Sequence, residues 1–160
     1  MIQRLQTVYL IAIIIIAAVS CSGQLISSHQ LLPGQVKDYT LNAIYFNVYE
    51  NGILVSSQIQ FMLILLTSVL IGWTINIILT YKNRVKQMRF TKINFAVIAI
   101  YILALFVKAF MLIPDFSFSG LSLKSTFGVA LLIFMLYLNM RALMLMKKDD
   151  ELVRSVDRLR

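Results

Sequence analysis

Long uncharged apolar stretches divide the chain. No Asp, Glu, Lys or Arg occurs from Leu5 to Val36, and the apolar part runs from Val8 to Ile26. A second uncharged stretch, Asn51 to Tyr81, is densest from Ile59 to Leu79. A third runs from Ile93 across Lys108 to Ile113, where Pro114 ends it. A fourth covers Gly120 to Asn139, with Lys124 in its first turns. Each is close to the roughly 20 residues that cross about 30 Å of hydrocarbon. Apolar residues occupy all sides of these segments, as in helices that face lipid as well as protein. Open strands at that depth would leave backbone groups unpaired. The pattern predicts an all-α membrane protein, a four-transmembrane-helix bundle with spans at 8–26, 59–79, 93–113 and 120–139. The whole of 1–160 forms one membrane domain, with an outer loop at 27–58, a second-side loop at 80–92 and a tail at 140–160.

The outer loop has a pattern of its own. Pro33-Gly34 reads as a turn. Tyr39 to Tyr49 is rich in aromatic and β-branched residues, and Asn51-Gly52 separates it from Ile53-Leu54-Val55-Ser56. Asn-Gly between two such runs predicts a small extracytoplasmic β-hairpin between helices 1 and 2. In an unbroken strand Tyr39, Leu41, Ala43, Tyr45, Asn47 and Tyr49 share one face. An isolated hairpin is marginal in water, so this one is expected on the helix ends, its tyrosines at headgroup level. The segment from Pro114 to Ser119 is too short for a fold of its own.

Composition excludes an ordinary soluble domain. Of 160 residues 59% are apolar and 14% charged, against about 45–50% and about 25% in soluble domains. Mean hydropathy is +0.82. The formal charge is +8, and its placement is one-sided. All basic residues except Lys37, Lys108 and Lys124 fall before span one, between spans two and three, or after span four. Lys and Arg flank the cytoplasmic ends of spans, so both termini are expected in the cytoplasm and the protein in the inner membrane. The charge is assigned to topology and to anionic lipid headgroups, at about 1 kcal/mol per residue near the surface. It is not assigned to nucleic acid.

Cys21 has two readings. Arg4, an apolar run and Ala18-Val19-Ser20-Cys21 resemble a lipoprotein signal, which would leave Cys21 lipidated with three helices behind it. Ala18 stands where such sites favour Leu, and the apolar run continues through Ile26. The favoured expectation is a small cysteine packed in a retained helix.

Polar residues inside the spans supply the remaining candidates. Ser68, Gly72, Asn76 and Thr80 recur every four residues, a candidate helix-packing face. Asn94 and Asn139 lie near the ends of spans three and four and are candidates to join Asn76. Lys108 lies about 9 Å inside span three by helix rise. With Lys124 it forms a candidate lipid-headgroup or anion contact. His29 stands alone and is expected to be solvated. No catalytic, cofactor-binding or metal motif occurs, so no enzyme activity, cofactor or metal is expected. Lys82, Arg84, Lys86, Arg89 and Lys92, with Arg154 and Arg158 of the tail, form the candidate cytoplasmic interaction face. The acids of the tail, Asp149, Asp150, Glu151 and Asp157, are expected to fold back onto that basic loop as a weak latch.

Three segments resemble a known family. They are Met1-Ile2-Gln3-Arg4-Leu5-Gln6-Thr7-Val8-Tyr9-Leu10, Tyr81-Lys82-Asn83-Arg84 with Gln87-Met88-Arg89, and Lys148 to Arg160. The family comprises small four-helix integral membrane proteins of unknown function from Bacteroidetes-type bacteria. Members often read Asn-Arg-Ala after span four, where this chain has Asn139-Met140-Arg141-Ala142. The resemblance implies an inner-membrane location and supplies no activity or catalytic residue. The expected function is a non-enzymatic scaffold, assembly or regulatory protein acting through its basic face, with other membrane proteins or itself as partner. The alternative is a subunit of a small-solute transporter or channel.

Overall fold

The computed structural model describes residues 2–32, 35–114, 116 and 122–157. Helix α1 (Ile2–Ser22) leads into four strands: β1 (Ile26–Leu32), β2 (Gln35–Leu41), β3 (Tyr45–Glu50) and β4 (Ile53–Ile59). Helices α2 (Phe61–Leu79), α3 (Arg84–Leu112) and α4 (Leu123–Asp157) follow. The strands form one antiparallel sheet in the order β1-β2-β3-β4. Four helices are long and apolar enough to cross a membrane. Helix α1 packs on α2 and α4, and α3 packs on the same two. Each helix contributes to a shared core, through Leu10, Leu70, Tyr101 and Leu132 among others.

The outer segment is a four-stranded sheet rather than one hairpin. Asn42 is the cause. Its side-chain oxygen accepts from the Ile44 N–H at 2.9 Å, and its own N–H donates to the Tyr45 carbonyl at 3.0 Å. This side-chain turn breaks the Tyr39–Tyr49 run, so the expected six-residue face does not exist. Tyr39 and Leu41 pair with Val48 and Phe46, and Tyr39, Leu41 and Phe46 are buried. Tyr45, Asn47 and Tyr49 take the opposite face. The Asn-Gly turn stands as expected, with φ of 50° at Asn51 and 81° at Gly52. Both central residues of a type I′ turn need positive φ. Lys37 Nζ meets Glu50 Oε1 across the sheet at 2.7 Å, and that carboxylate holds the ammonium above the ordinary lysine range. The Pro33-Gly34 turn lies outside the described residues, but β1 and β2 pair up to it, with Leu32 opposite Gln35.

Helix boundaries depart from the span boundaries in three places. The first helix stops at Ser22, where the Gly23 N–H closes onto the Val19 carbonyl at 2.8 Å. Ile26 then begins a strand instead of ending a span. The segment expected as a basic loop at 80–92 is mostly helix. A 3-10 turn at Thr80–Lys82 makes the connection. Asn83 caps α3 by accepting from the Lys86 N–H at 3.2 Å. The tail from 140 onward is the continuation of α4, which runs unbroken for 35 residues.

The buried face of α2 is also not the expected one. Leu63, Thr67, Leu70, Thr74 and Ile77 face inward. Ser68, Gly72 and Asn76 are exposed, and Thr80 is partly so. Ser68 Oγ donates to the Leu65 carbonyl at 2.8 Å, and Thr80 Oγ1 to the Asn76 carbonyl at 2.7 Å. These hydroxyls bond to backbone one turn earlier, and most of the stripe faces outward from the buried side of α2. Close approach occurs elsewhere, at Gly128. A Cβ there would lie 2.5 Å from the Leu25 carbonyl oxygen, so only glycine lets α4 sit against the link between α1 and β1.

Candidate functional site at the basic helix ends

The antiparallel pair α3 and α4 is pinned by buried polar side chains. Asn94 Nδ2 donates to Asn139 Oδ1 at 3.0 Å, and Asn139 Nδ2 donates to the Thr91 carbonyl at 3.0 Å. Thr74 Oγ1 reaches Asn94 Oδ1 at 3.3 Å and so brings in α2. Gln87 Nε2 donates to the Ile77 carbonyl at 3.2 Å, and Thr91 Oγ1 approaches Met146 Sδ at 3.4 Å. All of these residues are buried. Such groups need partners where water is absent. The expected joining of Asn94 and Asn139 is present, but Thr74 takes the place given to Asn76, which points outward. Trp73 adds a further tie. Its Nε1 donates to the Phe90 carbonyl at 3.3 Å, and its ring lies 5.3 Å from that of Phe90.

Beyond this string the two helices continue side by side. Helices α1 and α2 have 21 and 19 residues, or about 31 and about 28 Å at 1.5 Å per residue. Helices α3 and α4 have 29 and 35, or about 43 and about 52 Å. The first turns of α3 lie level with the end of α2, where Gln87 bonds to the Ile77 carbonyl, and beside the C-terminal half of α4, where Arg84 meets Asp149. Lys82, Lys86, Arg89 and Lys92 are exposed there, as are Lys147 and Lys148 of α4. Arg84 Nη1 lies 3.2 Å from Asp149 Oδ2. An acid of the tail does meet a basic residue of the α2–α3 segment, but not by folding back. The contact is lateral, between the antiparallel helices α3 and α4.

A groove of about 350 Å³ runs along this pair. Val85 and Met88 form its apolar part, and Arg89, Lys92, Lys147, Asp150 and Glu151 complete the lining. Apolar floors with charged rims are general features of protein-binding grooves. Arg154 lies within α4, but its side chain is outside the described residues, as is the whole of Arg158. Lys108 is half-buried in α3. Lys124 lies in the first turn of α4, and its side chain is outside the described residues.

Sequence reasoning missed a pair at the opposite end. His29 Nδ1 lies 2.6 Å from Asp38 Oδ1, so the histidine is not alone. The signal was available: a turn centred on Pro33-Gly34 places positions 29 and 38 opposite each other, as the β1–β2 register does. Ser20 Oγ and Tyr101 Oη, 2.8 Å apart and buried, likewise join α1 to α3.

Residues 2–159 match a family described as a domain of unknown function, DUF4293. The chain belongs to this family. No curated protein matches the sequence. The DUF4293 match takes in the sheet and all four helices, so the family unit is the whole arrangement described above. The segments that carried the resemblance fall at the start of α1, the α2–α3 turn and the end of α4. The up-and-down path of the chain gathers these at the basic end.

Proposed function

We propose that this DUF4293 chain is a multi-pass inner-membrane protein with both termini in the cytoplasm. It is non-enzymatic and acts as a scaffold, assembly or regulatory protein through its basic cytoplasmic face. The observation that carries the proposal is the cluster of exposed basic residues where the first turns of α3 run beside the C-terminal half of α4. This junction bears exposed Lys86, Arg89, Lys92, Lys147 and Lys148 and the groove between the two helices. Positive side chains at that level favour the cytoplasmic leaflet and its anionic headgroups. The groove offers a partner an apolar floor and charges of both signs. Interior polar groups support this choice over a solute path. Thr74, Thr91, Asn94 and Asn139 bond to one another and to backbone, and the Ser68–Asn76 stripe faces away from the interior.

Two experiments test it. A reporter active only outside the cytoplasm is expected to be silent when fused at Arg160 and active when inserted at Asn51. The reverse pattern overturns the orientation. Quantitative pull-down of the full chain in mild detergent is then compared with Lys86→Glu/Arg89→Glu/Lys92→Glu. A defined membrane protein is expected with the parent chain and lost with the variant. Identical recoveries sink the platform role.

A further inference from the structure

Two adjoining cavities lie at the sheet end, opposite the basic platform. The lower one, about 550 Å³, sits between the last turns of α1 and the first turns of α4. Its lining is apolar, with Ile16, Val19, Leu25, Phe127 and Leu131 prominent. The upper one, about 420 Å³, lies against the sheet and is lined by Ser27, His29, Asp38, Thr40, Tyr49 and Ser122 among others. Gln24 and Leu123 line both, so one opens beside the other. Each falls within the range of about 300–1,000 Å³ typical of ligand cavities.

The walls are held in place by hydrogen bonds between distant segments. The Ser27 N–H donates to Ser125 Oγ at 3.0 Å, and Ser27 Oγ bonds with Ser122 Oγ. Strand β1 is thereby fastened to the start of α4. Gly128 lets α4 approach the Leu25 backbone at the same place. In the upper cavity β1–β2 pairing sets His29 against Asp38. Among the described residues, Asp38 is the only acid in that lining, and no lysine or arginine belongs to it.

The geometry points to a binding site for one amphiphile: a membrane lipid with an acyl chain in the lower cavity and an ammonium-bearing headgroup in the upper one. Apolar surface below and polar surface above match the two halves of such a molecule. An ionised carboxylate accepts hydrogen bonds through two oxygens, and His29 Nδ1 engages one of them. An ammonium donor complements the negative charge of Asp38, whereas a purely anionic headgroup meets repulsion there. The hydroxyls of Thr40 and Tyr49 are available to a phosphate or glycerol oxygen of the same lipid. This inference rests on the membrane-spanning part of the proposal above and is independent of the cytoplasmic platform.

The test uses the full chain in lipid nanodiscs carrying trace phosphatidylethanolamine with a photoreactive acyl chain. Peptide mapping is expected to place cross-links on Val19, Phe127 and Leu131, well above those on exposed Leu65 of α2 and Leu103 of α3. Asp38→Asn, which keeps shape and removes charge, is expected to lower that labelling about tenfold, as for loss of one charge-assisted contact. A phosphatidylglycerol probe is expected to label the same positions weakly. Leu131→Trp, with helicity unchanged by circular dichroism, is expected to abolish labelling at Phe127. Uniform labelling around all helices would overturn the site, since the lipid is then an ordinary bilayer neighbour. Equal labelling by both probes, or an unaffected Asp38→Asn chain, overturns the headgroup assignment. Absence of labelling anywhere overturns the membrane-spanning premise as well.

Discussion

Replacing Asn139 with Leu isolates the worth of the buried amide pair. The parent Asn94 Nδ2 donates to Asn139 Oδ1 at 3.0 Å, and both residues are fully buried. Leu fills a similar volume but leaves that donor without its acceptor. An unsatisfied buried donor costs about 1–3 kcal/mol. Hydrogen bonds between membrane helices average about 0.6 kcal/mol and reach about 1.7 kcal/mol, because the unfolded chain also finds partners. The expected loss for Asn139→Leu is therefore about 1–2 kcal/mol. Asn94→Leu should cost a similar amount. Thr74 Oγ1 survives that change because it also donates to the Leu70 carbonyl at 2.8 Å. The double variant decides the matter. If the losses were independent they would sum, to about 2–4 kcal/mol. Removing both amides leaves neither partner stranded, and such paired replacements are nearly neutral. The double variant should thus be more stable than either single one. Reversible unfolding in mixed detergent micelles, followed by the fluorescence of the single Trp73, measures all three. A double variant whose loss equals the sum refutes the reasoning, since the amides would then act separately.

Gly128→Ala forces a Cβ to 2.5 Å from the Leu25 carbonyl oxygen, so the same assay should show a loss of about 1–3 kcal/mol. Gly72→Ala meets nothing within 4 Å and should be neutral or stabilising by up to about 1 kcal/mol through helix propensity. Cysteines at Arg84 and Asp149, after replacement of Cys21, should cross-link equally at low and high salt, because packed helices and not their ion pair set the distance. Cross-linking that fails at high salt would restore the releasable latch. Lys37 has its pKa raised by Glu50, so their pairing stabilises the sheet fully below the unfolded lysine value of about 10.4. It is lost as pH rises through the higher folded value. Hydrogen exchange in β2 and β3 should therefore distinguish Lys37→Met from the parent at neutral pH and converge with it in strong alkali.

Local information sufficed for some features. The four apolar stretches, the one-sided basic residues and the Asn51-Gly52 turn each depend on residues close in sequence, and each could be read directly. Helix ends were harder. Charged residues such as Arg84, Lys86 and Lys92 mark where an apolar span stops, but they do not stop a helix. Asn83 capping α3 and the breaker-free run beyond Asn139 decide that.

What only the tertiary structure decided follows from the same chemistry. Helix α2 is apolar on every side, so its sequence gives little sign of which face turns inward. Packing against α1 and α3 selected Leu63, Leu70 and Thr74 and left Ser68, Gly72 and Asn76 outside. The partner of Asn94 depended on where α4 crosses α3, which no spacing within α3 encodes. One side-chain turn at Asn42 changed which tyrosines share a face, because strand faces alternate with period two. His29 found Asp38 only once two strands paired. Sequence determined how much of the chain is apolar and where the apolar stretches lie, because those properties are local. The fold determined which faces meet and which polar groups find each other, because hydrogen bonds and close packing need partners brought from far along the chain.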